Sequence, residues 1–243
     1  MSYWTSLPNS LPLKKDDSFF DHHNILGGEM TKPVDELRSE RQDDSIESLM
    51  KTVEEMPDSA SAHYNLGLGL SKKGDLDDSV AEFRKALKLR PGMLEARINI
   101  AAVLLQKGDY DGCIQESLKA LEFRPDLVEG CVNIGIAFMA KGNFEQAIHS
   151  FQKALALDPH NLVAHINLGN AYLSLGDIDK SIEHNLKTVS LKPGFGMGHN
   201  NLAVSFYHKG DLDKARFHAD EALKLGYDVH RDFLKQIKHR GRD

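Results

Sequence analysis

A 34-residue interval governs this chain from residue 57 onward. Pro57, Pro91, Pro125, Pro159 and Pro193 fall on it, as do Asn65, Asn99, Asn133, Asn167 and Asn201, and Gly74, Gly108, Gly142, Gly176 and Gly210. Three ladders in one register describe a single structural unit copied in tandem without insertion. A unit this short has no core of its own, so the copies must stack and share one.

The clearest copy is Val128 to Asn161, and with Val128 as position 1 its chemistry can be read directly. Cys131, Ile134, Gly135 and Phe138 recur at helical spacing and define one face of a first helix. Gly142 ends that helix, since glycine adopts the left-handed conformation favoured just past a helix C-terminus. Asn143 then stands where a cap belongs, with Asp75, Asp109, Asp177 and Asp211 at the same position in the other copies. A second helix carries Phe144, Ala147, Ile148, Phe151, Ala154 and Leu155 on one stripe and stops before Pro159, which disfavours helix in the residue preceding it. Positions 8, 20 and 27 stay small in every copy, as in Gly135, Ala147 and Ala154, which lets the two backbones of a hairpin approach closely.

This pattern resembles the tetratricopeptide repeat, with Leu-Gly at 7 and 8, an aromatic at 11, Ala at 20 and 27, and Pro at 32. The resemblance implies an all-α fold, a right-handed superhelical solenoid of tandem helix-turn-helix repeats. It covers residues 60–229 as five units: 60–93, 94–127, 128–161, 162–195 and 196–229. Position 4 departs from the family's large aromatic, reading His63, Arg97, Cys131, His165 and His199, and Tyr227 replaces the fifth proline.

The ends of the array need covers. Residues 32–59 supply one: positions 34–56 read as a helix with Val34, Leu37, Ile46, Leu49, Met50 and Val53 near helical spacing. At the other end, residues 229–243 form a cap and tail, with Val229, Phe233 and Ile237 facing inward and Arg231, Lys235 and Lys238 outward. Residues 1–31 have no period and read as a disordered tail, or as a segment whose Trp4 or Phe19-Phe20 docks on an array. Docking on a second copy would make the protein a self-assembling scaffold.

Function turns on the face of the first helices not spent on packing: positions 2, 5, 6, 9, 12 and 13. In the family this face lines the concave groove. Position 6 is asparagine five times, Asn65, Asn99, Asn133, Asn167 and Asn201. Such amides either satisfy neighbouring backbone or offer donors and acceptors to a bound main chain. The second reading resembles the asparagine ladder in the repeat region of O-linked N-acetylglucosamine transferase, where the precedent is an extended chain held along the groove. Beside the ladder, Ile98, Leu105, Val132, Ile136, Met139, Ile166 and Leu173 make an apolar stripe, with Asn170 at position 9 of the fourth unit. An exposed stripe of this size marks a partner site; superhelical curvature that buries these residues against each other is the alternative.

Other classes fit poorly. The clamp for acidic chaperone C-termini needs Lys at position 5, and no unit has one. Residues 1–56 hold 12 acidic and 6 basic residues, leaving 24 of each sign beyond, and a neutral array has no footprint for nucleic acid. No run of 18 apolar residues suggests a membrane span, and the absence of a basic start with an apolar run argues for a cytoplasmic location. Twelve histidines occur without a nucleophile-and-base spacing, and no glycine loop follows a strand, so neither catalysis nor a cofactor or metal is expected. Cys113 and Cys131 sit at positions usually buried and read as core thiols. The expected protein is a non-enzymatic adaptor or assembly factor that grips an extended segment of another protein with the five asparagines, Asn170, Ile98, Val132, Ile136, Ile166 and Met139.

Overall fold

In a computed structural model of the protein, residues 45–239 are described, and among them every regular element is a helix. A short helix α1 (Ile46–Glu55) precedes five hairpins: α2 (Ala60–Lys73) with α3 (Leu76–Leu89), α4 (Leu94–Gln106) with α5 (Tyr110–Phe123), α6 (Val128–Ala140) with α7 (Phe144–Leu157), α8 (Leu162–Ser174) with α9 (Ile178–Leu191), and α10 (Gly196–Lys209) with α11 (Leu212–Lys224). Helix α12 (Arg231–His239) follows. This is an all-α solenoid.

The turn glycines do what their position requires. Gly74, Gly108, Gly142, Gly176 and Gly210 all have φ between 75° and 95°, a region where a side chain is strained. After them, the carboxylates of Asp109, Asp177 and Asp211 accept from the backbone N–H three residues on. Asn143 and Asp75 differ from expectation: each occupies the cap position without making that bond. The second helices end where predicted, with Arg90, Arg124, Asp158 and Lys192 driven out of helical geometry by the proline that follows each.

Where position 8 is glycine it meets position 24 of the same hairpin, and the sizes compensate. A Cβ on Gly135 would lie 2.5 Å from the Phe151 ring, and one on Gly67 would lie 2.7 Å from Phe83. Where position 24 is small, as at Ser117 and Ala219, position 8 is Ala101 and Ala203. Phe83 and Phe151 are fully buried as a result. Apolar burial at about 25 cal/mol per Å² makes such rings the main source of hairpin stability.

One apolar core runs from Val80 to Tyr172 and a second from Ile182 to Ile237. Between them lies a buried polar layer. Ser181 Oγ and Ser205 Oγ are 2.8 Å apart, Asn185 Nδ2 donates to Ser205 Oγ at 3.2 Å, and Asn185 Oδ1 has no partner. Cys113 and Cys131 are buried free thiols, and burial pushes the Cys113 thiol up to about 12.

The ends are partly as read. Of the helix expected over 34–56, the described part starts at Ile46, where Ser45 is extended and its hydroxyl accepts from the Ser48 N–H at 3.2 Å; the part with Val34 and Leu37 lies outside the described residues. Residues 1–44 and 240–243, including the tail with Trp4 and Phe19-Phe20, lie outside the described residues. Helix α12 begins at Arg231, two residues later than expected; Val229 just before it and Phe233 and Ile237 within it are buried.

Candidate binding groove

The first helices of successive units approach one another, α2 to α4, α4 to α6, α6 to α8 and α8 to α10. Among the described residues, second helices show no comparable approach, so the stack curves with the first helices on its inner side. Two cross-unit hydrogen bonds lie on that side: Asn99 Nδ2 donates to Tyr64 Oη at 2.9 Å, and Asn201 Nδ2 donates to Asn170 Oδ1 at 3.1 Å.

The five position-6 asparagines are therefore not equivalent. Asn99 and Asn201 each spend an amide N–H on a side chain of a neighbouring first helix, Tyr64 and Asn170, and not on backbone. Asn167 is 1% exposed, donates to the Val163 carbonyl at 2.9 Å, and leaves Oδ1 unpaired inside the protein. Asn133 is half-buried and Asn65 exposed, and neither side chain bonds a described residue. The two free amides stand in units 1 and 3.

The apolar stripe is a correction. Leu105, Val132, Ile136, Met139 and Ile166 are each buried, between 4% and 9% exposed, and only Ile98 and Leu173 are half-buried. Curvature explains this. First helices that converge bring positions 5, 9 and 12 of adjacent units together, so Leu105, Val132, Ile136 and Met139 join the core that runs to Tyr172. They form the floor of the groove rather than knobs standing in water, and the argument from exposure falls to Ile98 and Leu173, with Leu68, Ala102 and Val204 also half-buried.

Sequence reasoning flagged position 4 as unusual and missed its partner, position 23 of the same unit. His63 Nδ1 lies 2.6 Å from Glu82 Oε2, and Arg97 Nη1 lies 3.0 Å from Glu116 Oε2. In units 4 and 5 the pair is two histidines, His165 with His184 and His199 with His218, each with its two Nδ1 atoms 3.1 Å apart. Unit 3 has Cys131 and Ser150 there, without a charge. The signal was available: ionisable residues 19 apart, inside a hairpin, in four of five copies.

These pairs titrate differently. Burial pushes the Glu82 carboxyl up, but hydrogen bonds from Lys85 and His63 outweigh it and hold Glu82 below the usual carboxylate range. Burial lowers His165, and burial followed by the charge of His165 lowers His184. For His218, burial and then the charge of His199 bring it down to about 4.

Tetratricopeptide repeat models match residues 60–93, 94–127 and 162–195, and a model described as TPR repeat matches residues 135–176, so the matches span more than half of the chain. No curated protein sequence matches it. Among solved structures, a crystal structure of MamA is 27% identical with a TM-score of 0.60 and covers 72% of this chain and 98% of its own. YrrB, a TPR protein with an unusual peptide-binding site, is 21% identical with a TM-score of 0.60, covering 80% of this chain and 99% of its own, and shares the fold. PilF of Pseudomonas aeruginosa is 21% identical with a TM-score of 0.66 over 75% of this chain and 86% of its own. Among the described residues no helix is long and apolar enough to cross a membrane. With hairpins, turn glycines and repeat period in agreement, the chain belongs to the tetratricopeptide repeat family.

Proposed function

We propose that this protein is a non-enzymatic adaptor that holds an extended segment of another protein along the inner side of the stack, centred on α6. The supporting observation is Asn133: its amide sits at mid-array on the concave side, half-buried, with no hydrogen bond to a described residue. A primary amide offers two donors and an acceptor, the complement of a peptide unit. Asn65 offers a second free amide two units away, and Asn99, tied to Tyr64, fixes the wall between them.

Apolar contact comes from Ile98 and Leu173, over a floor of Val132, Ile136, Met139 and Ile166. Two such contacts at about 1.5–3 kcal/mol each when fully buried, with amide bonds at about 0.5–1.5 kcal/mol net, must offset ordering and association costs of several kcal/mol. Micromolar affinity is the expectation. Asn167 enters this reading as a floor residue, since its amide is buried and tied to Val163.

The test is capture of partners from native extract by the full chain beside an Asn65→Ala, Asn133→Ala variant of unchanged melting temperature, followed by peptide mapping of what is captured. A partner lost by the variant and bound through one linear segment supports the groove. Equal capture by both places binding on the outer helices or the caps and overturns it.

A further inference from the structure

Units 4 and 5 each enclose two histidines that the groove does not use. In unit 4 the His165 Nε2–H donates to the Pro159 carbonyl at 3.1 Å, which leaves Nδ1 of that ring a bare acceptor. The Nδ1–H of His184 fills it from 3.1 Å away. Unit 5 repeats the arrangement, with His199 Nε2 3.3 Å from the Pro193 carbonyl and its Nδ1 3.1 Å from Nδ1 of His218. Each pair holds one proton between two nitrogens. A first added proton can take the bare Nε2 of His184 or His218 and leave the Nδ1–H···Nδ1 bond in place, at the cost of a charge on a half-buried ring; a second, on Nδ1 of His165 or His199, sets N–H against N–H and breaks the bond.

The surroundings do not offset that charge. His184 stacks on Tyr172 and His218 on Phe206, with centroids 5.6 Å apart in both cases. Both rings already carry a lysine, Lys180 at 5.0 Å and Lys214 at 5.1 Å. Around the unit 4 pair, Asp158 and Glu183 favour an added proton while Lys187 and His160 oppose it. Around the unit 5 pair, Glu221 favours it but is itself bonded to Lys224, and Lys214 opposes it. The first two units are built otherwise. At His63 and Arg97 the position-23 partner is a carboxylate, so the N–H groups at position 4 face an acceptor and not a second ring.

We propose that units 4 and 5 are a proton-triggered segment of the solenoid: mild acid opens α8 to α11 while α2 to α7 stays folded. The sign follows from linkage. His165, His184 and His218 are lowered in the folded state, so between the folded and unfolded values the unfolded rings bind protons that the folded ones do not. Stability is complete above pH 6.5, is lost as pH falls from 6.5 toward about 4, and is level below that. For His218 alone, a drop from 6.5 to about 4 shifts the balance toward the open form by ~30-fold at about pH 5.

Hydrogen exchange of the full chain, followed by mass spectrometry at about pH 7 and pH 5 and corrected for intrinsic rates, tests this. Peptides from 162–224 are expected to lose protection by ~30-fold or more, and those from 60–157 to change by less than about threefold. A His184→Glu, His218→Glu variant places in both units the His-carboxylate pairing of His63 and Glu82, and should remove the difference. Equal protection at the two pH values, uniform loss along the chain, or an unchanged response in the variant overturns the proposal. Should the variant fail to fold, ring C–H titration of the natural chain by NMR decides the matter: a His184 or His218 midpoint at or above 6.5 excludes it, and both midpoints below 6.5, with His218 moved toward about 4, support it.

Discussion

Unit 3 and unit 5 fill the same hairpin in different ways. In unit 3, Phe151 packs onto the bare backbone of Gly135, next to the uncharged Cys131 and Ser150. In unit 5, the same two positions are the fully buried Ala203 and Ala219, and the rings in that hairpin are the His199–His218 pair with Phe206 stacked on His218. The first arrangement buries one large apolar group and is indifferent to pH. The second ties its packing to a shared proton. Stacked repeats share most of their stability with nearest neighbours, so one solenoid can hold a firm half and a conditional half, with the Asn185, Ser181 and Ser205 layer lying inside the second, between α9 and α10.

The largest effect expected from this contrast is at position 24. Phe151→Ala removes a fully buried ring and should cost about 3–5 kcal/mol, read from urea denaturation of the full chain. Ala219→Gly at the matching site of unit 5 should cost about 1 kcal/mol, mainly from helix propensity. Similar losses at the two sites would mean that the units do not differ in how they are held.

Next comes the fit between positions 8 and 24. Gly135→Ala puts a methyl 2.5 Å from the Phe151 ring and should cost about 1–3 kcal/mol. Adding Phe151→Ser restores the Ala101 with Ser117 combination of unit 2, so the double variant should fall well short of the sum of the singles. Additive losses would show that the sizes at positions 8 and 24 vary independently. The polar layer gives a smaller signal. Asn185→Leu removes an amide whose Oδ1 is buried without a partner and leaves Ser181 bonded to Ser205, so stability should change by no more than about 1 kcal/mol. A loss above about 2 kcal/mol would make Asn185 a structural keystone instead of a seam.

Much of this was legible in the sequence because the repeat samples each position five times. Gly142 at φ 75°, the stops before Pro91, Pro125, Pro159 and Pro193, and the inward set Val229, Phe233 and Ile237 follow from local chemistry that needs no neighbour. The groove was less legible. Helical spacing tells which way Val132, Ile136 and Ile166 point, but their exposure depends on how far adjacent first helices converge, and that distance is a property of the stack. The asparagines show the same limit: one residue type at one position becomes a wall bond at Asn99, a buried floor residue at Asn167 and a free amide at Asn133. Pairing of positions 4 and 23 lay within reach of the sequence, since Glu82, Glu116, His184 and His218 keep a fixed offset from His63, Arg97, His165 and His199.

The smallest effect concerns the edge along which the halves join. Lysine at position 14 reaches back to the acidic residue at position 18 of the preceding unit: Lys107 pairs with Asp77, Lys141 with Asp111, and Lys209 with Asp179 at 2.8 Å. At the junction of units 3 and 4 this position is Leu175, 44% exposed, facing the register of Glu145. Leu175→Lys would complete the row, and an exposed pair of this kind adds about 0.2–0.5 kcal/mol. A rise of that size in denaturation free energy, abolished in about 0.5 M salt, is the expected result, since screening removes surface attraction first. If the gain survives salt, it comes from removing an exposed leucine and not from the ion pair; if the variant instead loses stability, Leu175 packs across the junction more than its exposure suggests, and the seam between the two halves is held by apolar contact at its edge.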